Sequence, residues 1–249
     1  MIKKVINHIN IFVVESYDDM SAVAASIVLN HVMKNPRSIL GLATGSSPEG
    51  MYAKMREAHA HGIDMKGVTS FNLDEYYPIK QKHPQSYFSF MQEQLFKRVN
   101  IQPENIHFLN GEAENPEQEC ERYEKDLADT GTIDIQILGI GNNGHIAFNE
   151  PGSPLDCKTH LVNLTESTIK ANSRFFKSAD EVPRQALTMG LSTILKAKQI
   201  LLLASGAKKA LAIKQSLENE VTENVPASVL QTHGNTTYII DTEAAEQLA

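Results

Sequence analysis

The chain has 249 residues, 41% of them hydrophobic and 21% charged, with a formal net charge of -7 at pH 7. That composition supports one sizeable core and excludes a disordered chain, and the lack of a Lys/Arg block argues against a nucleic-acid partner. An anionic metabolite remains open to an acidic protein, because a few locally converging basic residues suffice to hold it.

Two cysteines occur, Cys120 and Cys157, with neither a CxxC pair nor a zinc-like histidine spacing, so they read as reduced thiols. Met1-Ile2-Lys3-Lys4 resembles a signal n-region only faintly, and Ile11-Phe12-Val13-Val14 is too short for the apolar core of one. Nothing approaches the ~20 apolar residues of a membrane span. The expectation is a cytoplasmic protein with no membrane contact.

The first predicted strand, Ile9–Val14, leads into a helix whose Met20, Val23, Ala24, Ile27, Val28 and Val32 share one face. A second, Ser38–Ala43, runs into Thr44-Gly45-Ser46-Ser47-Pro48, where Pro48 suits the first turn of a helix that Gly62 follows. A third, Val68–Asn72, ends at Phe71-Asn72-Leu73-Asp74-Glu75-Tyr76. Strand Ile106–Leu109 precedes a helix opened by Asn115-Pro116 and closed by Gly131, and strand Ile133–Leu138 enters a glycine-rich loop from Gly139 to Pro151. Residues 151–183 then break the rhythm with Ser, Thr, Asn and Lys, and are expected to leave the sheet as a lid. Strands Gln199–Ala204 and Thr237–Ile240 complete the series, the former followed by Ser205-Gly206-Ala207-Lys208-Lys209. Repeated βα units with apolar strands imply a single α/β domain over 1–249, with a mostly parallel sheet and helices on both faces. A mixed α+β layout is the alternative.

In such a sheet ligands bind beyond the carboxyl ends of the strands, so the unusual loops should meet. Thr44, Gly45, Ser46 and Ser47 suit a phosphate at a helix start, although similar loops are common turns and no Gly-Lys-Ser/Thr follows. Asp74 and Glu75 should face opposite ways in extended backbone, and either reads alone as a solvated strand end. Gly139-Ile140-Gly141-Asn142-Asn143-Gly144 fits a formal GxGxxG, but Asn149-Glu150-Pro151-Gly152 leaves no room for the helix that a dinucleotide site requires. The loop instead surrounds His145 with Asn143 and Glu150, a plausible acid–base cluster. Lys208 and Lys209 at a helix start oppose its dipole, a mismatch that a bound anion would offset, and Arg174 could add a bidentate fork.

Taken together, the chain resembles the glucosamine-6-phosphate deaminase family over essentially its whole length. The resemblance rests on Gly41-Leu42-Ala43-Thr44-Gly45, Phe71 to Tyr76, His83-Pro84-Gln85-Ser86-Tyr87 and Gly144-His145-Ile146-Ala147-Phe148-Asn149-Glu150-Pro151. Ala171-Asn172-Ser173-Arg174-Phe175-Phe176 and Lys209-Ala210-Leu211-Ala212 follow in the family's order. It implies a Rossmann-like fold and conversion of glucosamine 6-phosphate to fructose 6-phosphate and ammonia, without metal or organic cofactor. By position it implies Asp74 as the base of enolisation, Asn143, His145 and Glu150 in ring opening, and Ser46, Ser47, Arg174 and Lys209 at the phosphate. Two positions depart from the pattern. Some members carry aspartate where this chain has Asn143, and activated hexameric members carry basic residues aligned with His160 and Val162. Val162 cannot hold a phosphate, so activation by N-acetylglucosamine 6-phosphate is not expected, and a monomer or small homo-oligomer is. The related 6-phosphogluconolactonases continue their Gly-His loop differently, and a sugar-phosphate sensor would not need Asp74; both remain alternatives.

Overall fold

The computed structural model describes residues 1–173, 176, 178 and 181–248. Its elements are β1 (Ile2–Ile6), β2 (Ile9–Val14), α1 (Tyr17–Lys34), β3 (Ile39–Leu42), α2 (Ser46–Ala60), β4 (Thr69–Asn72) and β5 (Asp74–Tyr77). There follow α3 (Tyr87–Gln94), β6 (Ile106–His107), α4 (Pro116–Thr130), β7 (Ile135–Leu138), β8 (His160–Asn163), α5 (Glu166–Asn172) and β9 (Gln185–Thr188). The chain ends with α6 (Leu191–Ile194), β10 (Gln199–Ala204), α7 (Ala210–Glu218) and β11 (Thr236–Asp241).

Eight strands form one sheet in the order β1-β2-β11-β10-β7-β3-β4-β6, in which every pairing except β1 with β2 is parallel. The central parallel strands are covered on both faces: all of β7 and β11 is buried, as is β10 beyond its first residue. Connections from β2 through β3 and β4 to β6 step one way across the sheet, and those from β6 back through β7 and β10 to β11 step the other way. With right-handed crossovers, the two sets of helices cover opposite faces. The Rossmann-like expectation therefore holds. Its first helix is as the pattern requires: Ser16 caps α1 by accepting from the Asp19 amide at 3.2 Å, and Met20, Ala24, Val28 and Val32 are buried.

Four strands went unanticipated. β1 closes a hairpin with β2 through Asn7 and His8, both at positive φ (46° and 68°), the geometry of a two-residue turn, here with histidine where glycine is usual. The other three, β5, β9 and β8, make a second, antiparallel sheet in that order. Asp74 is thus the first residue of β5 rather than a loop residue, set opposite Thr188 of β9, which also faces His160 of β8. Residues 151–183 accordingly include a strand and α5 tied to this small sheet, where the composition suggested an excursion alone.

Position matters most at the centre of the large sheet. The chain leaves β3 toward β4 but leaves β7 toward β10, so the loops after these neighbouring strands diverge and open a crevice. Among the described residues no helix is long and apolar enough to cross a membrane.

Candidate active site

The crevice widens into a cavity of about 1050 Å³. Thr44, Gly45, Ser46 and Ser47 form one wall, and Asp74, His145 and Lys209 reach it from three other segments. Three loops and the first residue of β5 converge there, as the topology demanded.

At one end the wall is a helix start. Gly45 caps α2 at φ 90° with no side-chain capping bond, which leaves the first turn of the helix facing the cavity without a built-in acceptor. A Cβ at Gly139 would lie 3.6 Å from Ser47 Oγ, so the β7 loop abuts this turn directly. Lys209 reaches across to donate from Nζ to the Ile140 carbonyl at 2.7 Å. That bond supplies part of the counterbalance that the dipole argument reserved for an anion. Lys208, by contrast, is exposed and does not line the cavity. The second helix start differs from the first, because the Gly206 amide is already bound by the Asp241 carboxylate at 3.0 and 3.1 Å. Arg174, assigned to the same end from sequence, lies outside the described residues.

The carboxylate pair is buried. Asp74 is 6% exposed and Glu75 2%, so neither is the solvated strand end that its composition suggested. As alternation predicts, they face apart. Asp74 borders the cavity, whereas Glu75 accepts backbone N–H bonds from Tyr76 and Tyr87 on one oxygen (2.9 and 2.8 Å) and from Phe88 on the other (2.9 Å). Burial, then the neighbouring Glu75 charge, push the Asp74 carboxyl up to about 8. Burial also lifts Glu75, to about 7, with the three amides pulling against it. A carboxyl tuned in this way can take and return a proton near neutral pH.

The histidine cluster has two layers. His145 borders the cavity, and its Nδ1 lies 3.3 Å from Glu150 Oε2 without hydrogen-bond alignment. Gly141 lies directly beneath the ring: a Cβ there would come within 2.3 Å of Nδ1 and Cε1. This packing, not a cofactor, accounts for that glycine, and no helix begins between 139 and 150. Glu150 is 5% exposed and well held. Asn143 Nδ2 donates to its Oε2 at 2.7 Å, and the Thr165 and Thr168 hydroxyls donate to its Oε1, the former at 3.3 Å. Burial would raise this carboxyl, but His145 first, then Thr168 and Asn143, hold it below the usual carboxylate range. Asn143 therefore acts on the imidazole through Glu150; its own oxygen accepts the His145 backbone amide at 3.3 Å.

Sequence reasoning missed an aromatic wall and the threonines. Tyr76, Tyr87 and Phe148 line the cavity, with Tyr87 and Phe148 stacked at 5.9 Å and 9°. Tyr87 lies in the His83 to Tyr87 motif, which carried resemblance but no assigned role. Thr165 was legible as a helix cap, since it accepts from the Thr168 amide at 3.3 Å; its reach to Glu150 was not.

Known proteins resemble this chain over nearly its whole length. A family model described as glucosamine-6-phosphate isomerases/6-phosphogluconolactonase matches residues 15–239. A glucosamine-6-phosphate deaminase from Halothermothrix orenii is 53% identical over 96% of this chain and 99% of its own. One from a Thermoanaerobacter species is 52% identical over 94% and 93%. Among solved structures, a monomeric glucosamine-6-phosphate deaminase is 42% identical, with a TM-score of 0.93 over 95% of this chain and 99% of that one. A 6-phosphogluconolactonase from Trypanosoma brucei shares the fold at 21% identity and a TM-score of 0.78. The chain belongs to the glucosamine-6-phosphate deaminase family.

Proposed function

We propose that the chain isomerises and deaminates glucosamine 6-phosphate to fructose 6-phosphate and ammonia, with Asp74 as the base and His145 as the ring-opening group. The observation that carries this reading is a buried carboxyl of raised pKa and a carboxylate-backed histidine facing one cavity that ends at an open helix start.

The phosphate sits against Thr44 to Ser47 and Lys209; Arg174, outside the described residues, is assigned to it by the family resemblance alone. Binding there holds the sugar without entering the bond-making, so the phosphate serves position rather than reactivity. His145 takes the proton of the anomeric hydroxyl and returns one to the ring oxygen, which opens the pyranose. Glu150 stabilises the imidazolium that forms in transit, and Asn143 and Thr168 hold Glu150 in place. The aldehyde acidifies the C2 hydrogen. Asp74 removes that proton and delivers it to C1, leaving an imine at C2. Water adds to the imine, and ammonia departs. Each proton transfer of this kind contributes roughly 10²–10⁴-fold.

The chain works as one catalytic unit in the cytoplasm, residues 151–183 close over bound sugar, and no phosphorylated effector activates it. Val162 lies within β8, and the His160 ring is engaged with the Lys158 carbonyl at 2.8 Å, so this strand offers no basic cradle. The protein is a monomer or small homo-oligomer; the similar solved structure at 42% identity is described as monomeric.

Incubation with glucosamine 6-phosphate should release ammonia and fructose 6-phosphate in equal amounts. Hydrolysis of 6-phosphogluconolactone without ammonia release would replace this reading with the lactonase one, and tight binding without turnover would replace it with a sensor.

A further inference from the structure

We propose that Glu75 is a positioning residue for the reaction, pinning the first turn of α3 to β5 and setting the basicity of the neighbouring Asp74 through its fixed charge. The inference rests on the reading of Asp74 as the base.

Glu75 is unusual among the acids of this chain. It is buried on the side of β5 away from the cavity, and its three hydrogen bonds all come from backbone amides. Two of those amides belong to Tyr87 and Phe88, the first two residues of α3, whose side chains line the cavity. The carboxylate thus sits at the positive end of a helix and joins the strand that carries the base to the helix that walls the site. A purely structural cap would need no charge. Ser86 already caps this helix, with Oγ accepting from the Ser89 amide at 3.0 Å.

The charge acts on Asp74, to which no described residue gives a hydrogen bond and whose carboxyl is raised by burial and then by the adjacent Glu75. Burial raises both carboxyls, but the three amides favour ionised Glu75, so Glu75 gives up its proton first and its charge keeps the proton on Asp74. Other groups facing Asp74 do not compete. Tyr52 on α2, Tyr87 on α3 and Tyr123 on α4 are all pushed upward by burial and stay neutral, and its cross-strand partner on β9 is Thr188. His145 and Lys209 border the same cavity from other loops. Without a charged neighbour, Asp74 would be a weaker base with its proton gone at lower pH.

The test is the pH profile of kcat/KM for ammonia release by wild type, Glu75→Gln, Glu75→Asp and Ser86→Ala. Glu75→Gln removes the charge with little change of shape, so the acid limb should move down by roughly one pH unit and the plateau kcat should fall about tenfold. Glu75→Asp keeps the charge and should keep the limb raised. Ser86→Ala weakens the helix start without touching charge, and should leave the limb where it is. An unmoved limb in Glu75→Gln, or an equal movement in Ser86→Ala, overturns the proposal. A second measurement needs no Glu75 variant to fold. In wild type the ¹³C-labelled carboxyl of Glu75 should ionise before that of Asp74, and in Asp74→Asn the Glu75 step should stay in place, because Asp74 is still neutral when Glu75 loses its proton. Ionisation of Asp74 ahead of Glu75 in wild type refutes the coupling. Absence of ammonia release by wild type would remove the assigned reaction instead, and the carboxyl titration would still report on the pair.

Discussion

Replacing Gly141 by alanine displaces the His145 ring without replacing any reacting group. The new Cβ would fall 2.3 Å from Nδ1 and Cε1 of His145 and 2.6 Å from Nε2, where ordinary contact begins at 3.4 Å. The backbone tolerates alanine, since Gly141 does not adopt a positive φ and keeps its amide bond to the His145 carbonyl at 2.9 Å. The imidazole, part-exposed toward the cavity, must therefore give way by about 1 Å. That movement opens its 3.3 Å contact with Glu150. A misplacement of about 1 Å costs on the order of 10²-fold in a reaction that depends on orientation. The assay pairs ammonia release from the cyclic sugar phosphate with calorimetric binding of its acyclic alditol phosphate, which has no ring to open. Turnover should fall roughly 10²-fold, while affinity for the alditol stays within about threefold and the melting temperature within a few degrees. Turnover close to wild type would refute the placement of the ring. A parallel loss of alditol binding would show that the loop, not the ring, had been disturbed.

Thr168→Val removes a hydroxyl from a buried carboxylate, and should cost about 1–3 kcal/mol of stability with a clear loss of turnover, read by thermal melts and ammonia release. Lys209→Met should raise KM for the sugar phosphate roughly 10- to 100-fold by removing a charged donor, while inhibition by a neutral, unphosphorylated sugar alcohol changes little. Asp74→Asn should stabilise the protein increasingly as pH rises. The folded pKa of Asp74, about 8, lies above its ordinary value of 3.8, so the wild type has the full benefit of the buried neutral acid only below that ordinary value and loses it as pH climbs through the raised one. The gap in melting temperature between variant and wild type should widen from about pH 5 to about pH 8, and a constant gap would contradict the burial argument.

The large sheet was legible because its strands obey one rule. Ile9–Val14 is apolar apart from Asn10 and Gln199–Ala204 apart from its first residue, and both end where the pattern ends. The small sheet obeys no such rule: β5 opens on two carboxylates, and β8 lies in a polar stretch with its last residue exposed. Tertiary pairing with β9, rather than local preference, makes these residues strands. The site was legible to the extent that topology dictates it. Residues after β3, β7 and β10 had to meet at the crevice, and alternation required Asp74 and Glu75 to part. Their burial was hidden, because adjacent acids in a sequence look solvated until the amides of α3 are seen to receive one of them. The role of Gly141 was likewise hidden: in the sequence it belongs to a nucleotide-like glycine pattern, and only the ring lying over it gives it a different purpose.

Asp74 bears most of the mechanism, and one measurement reaches it directly. Ammonia release from glucosamine 6-phosphate by Asp74→Asn should drop by roughly 10²–10⁴-fold relative to wild type, while the variant still binds the alditol phosphate. Release at a rate near that of wild type would contradict the assignment of Asp74 as the base.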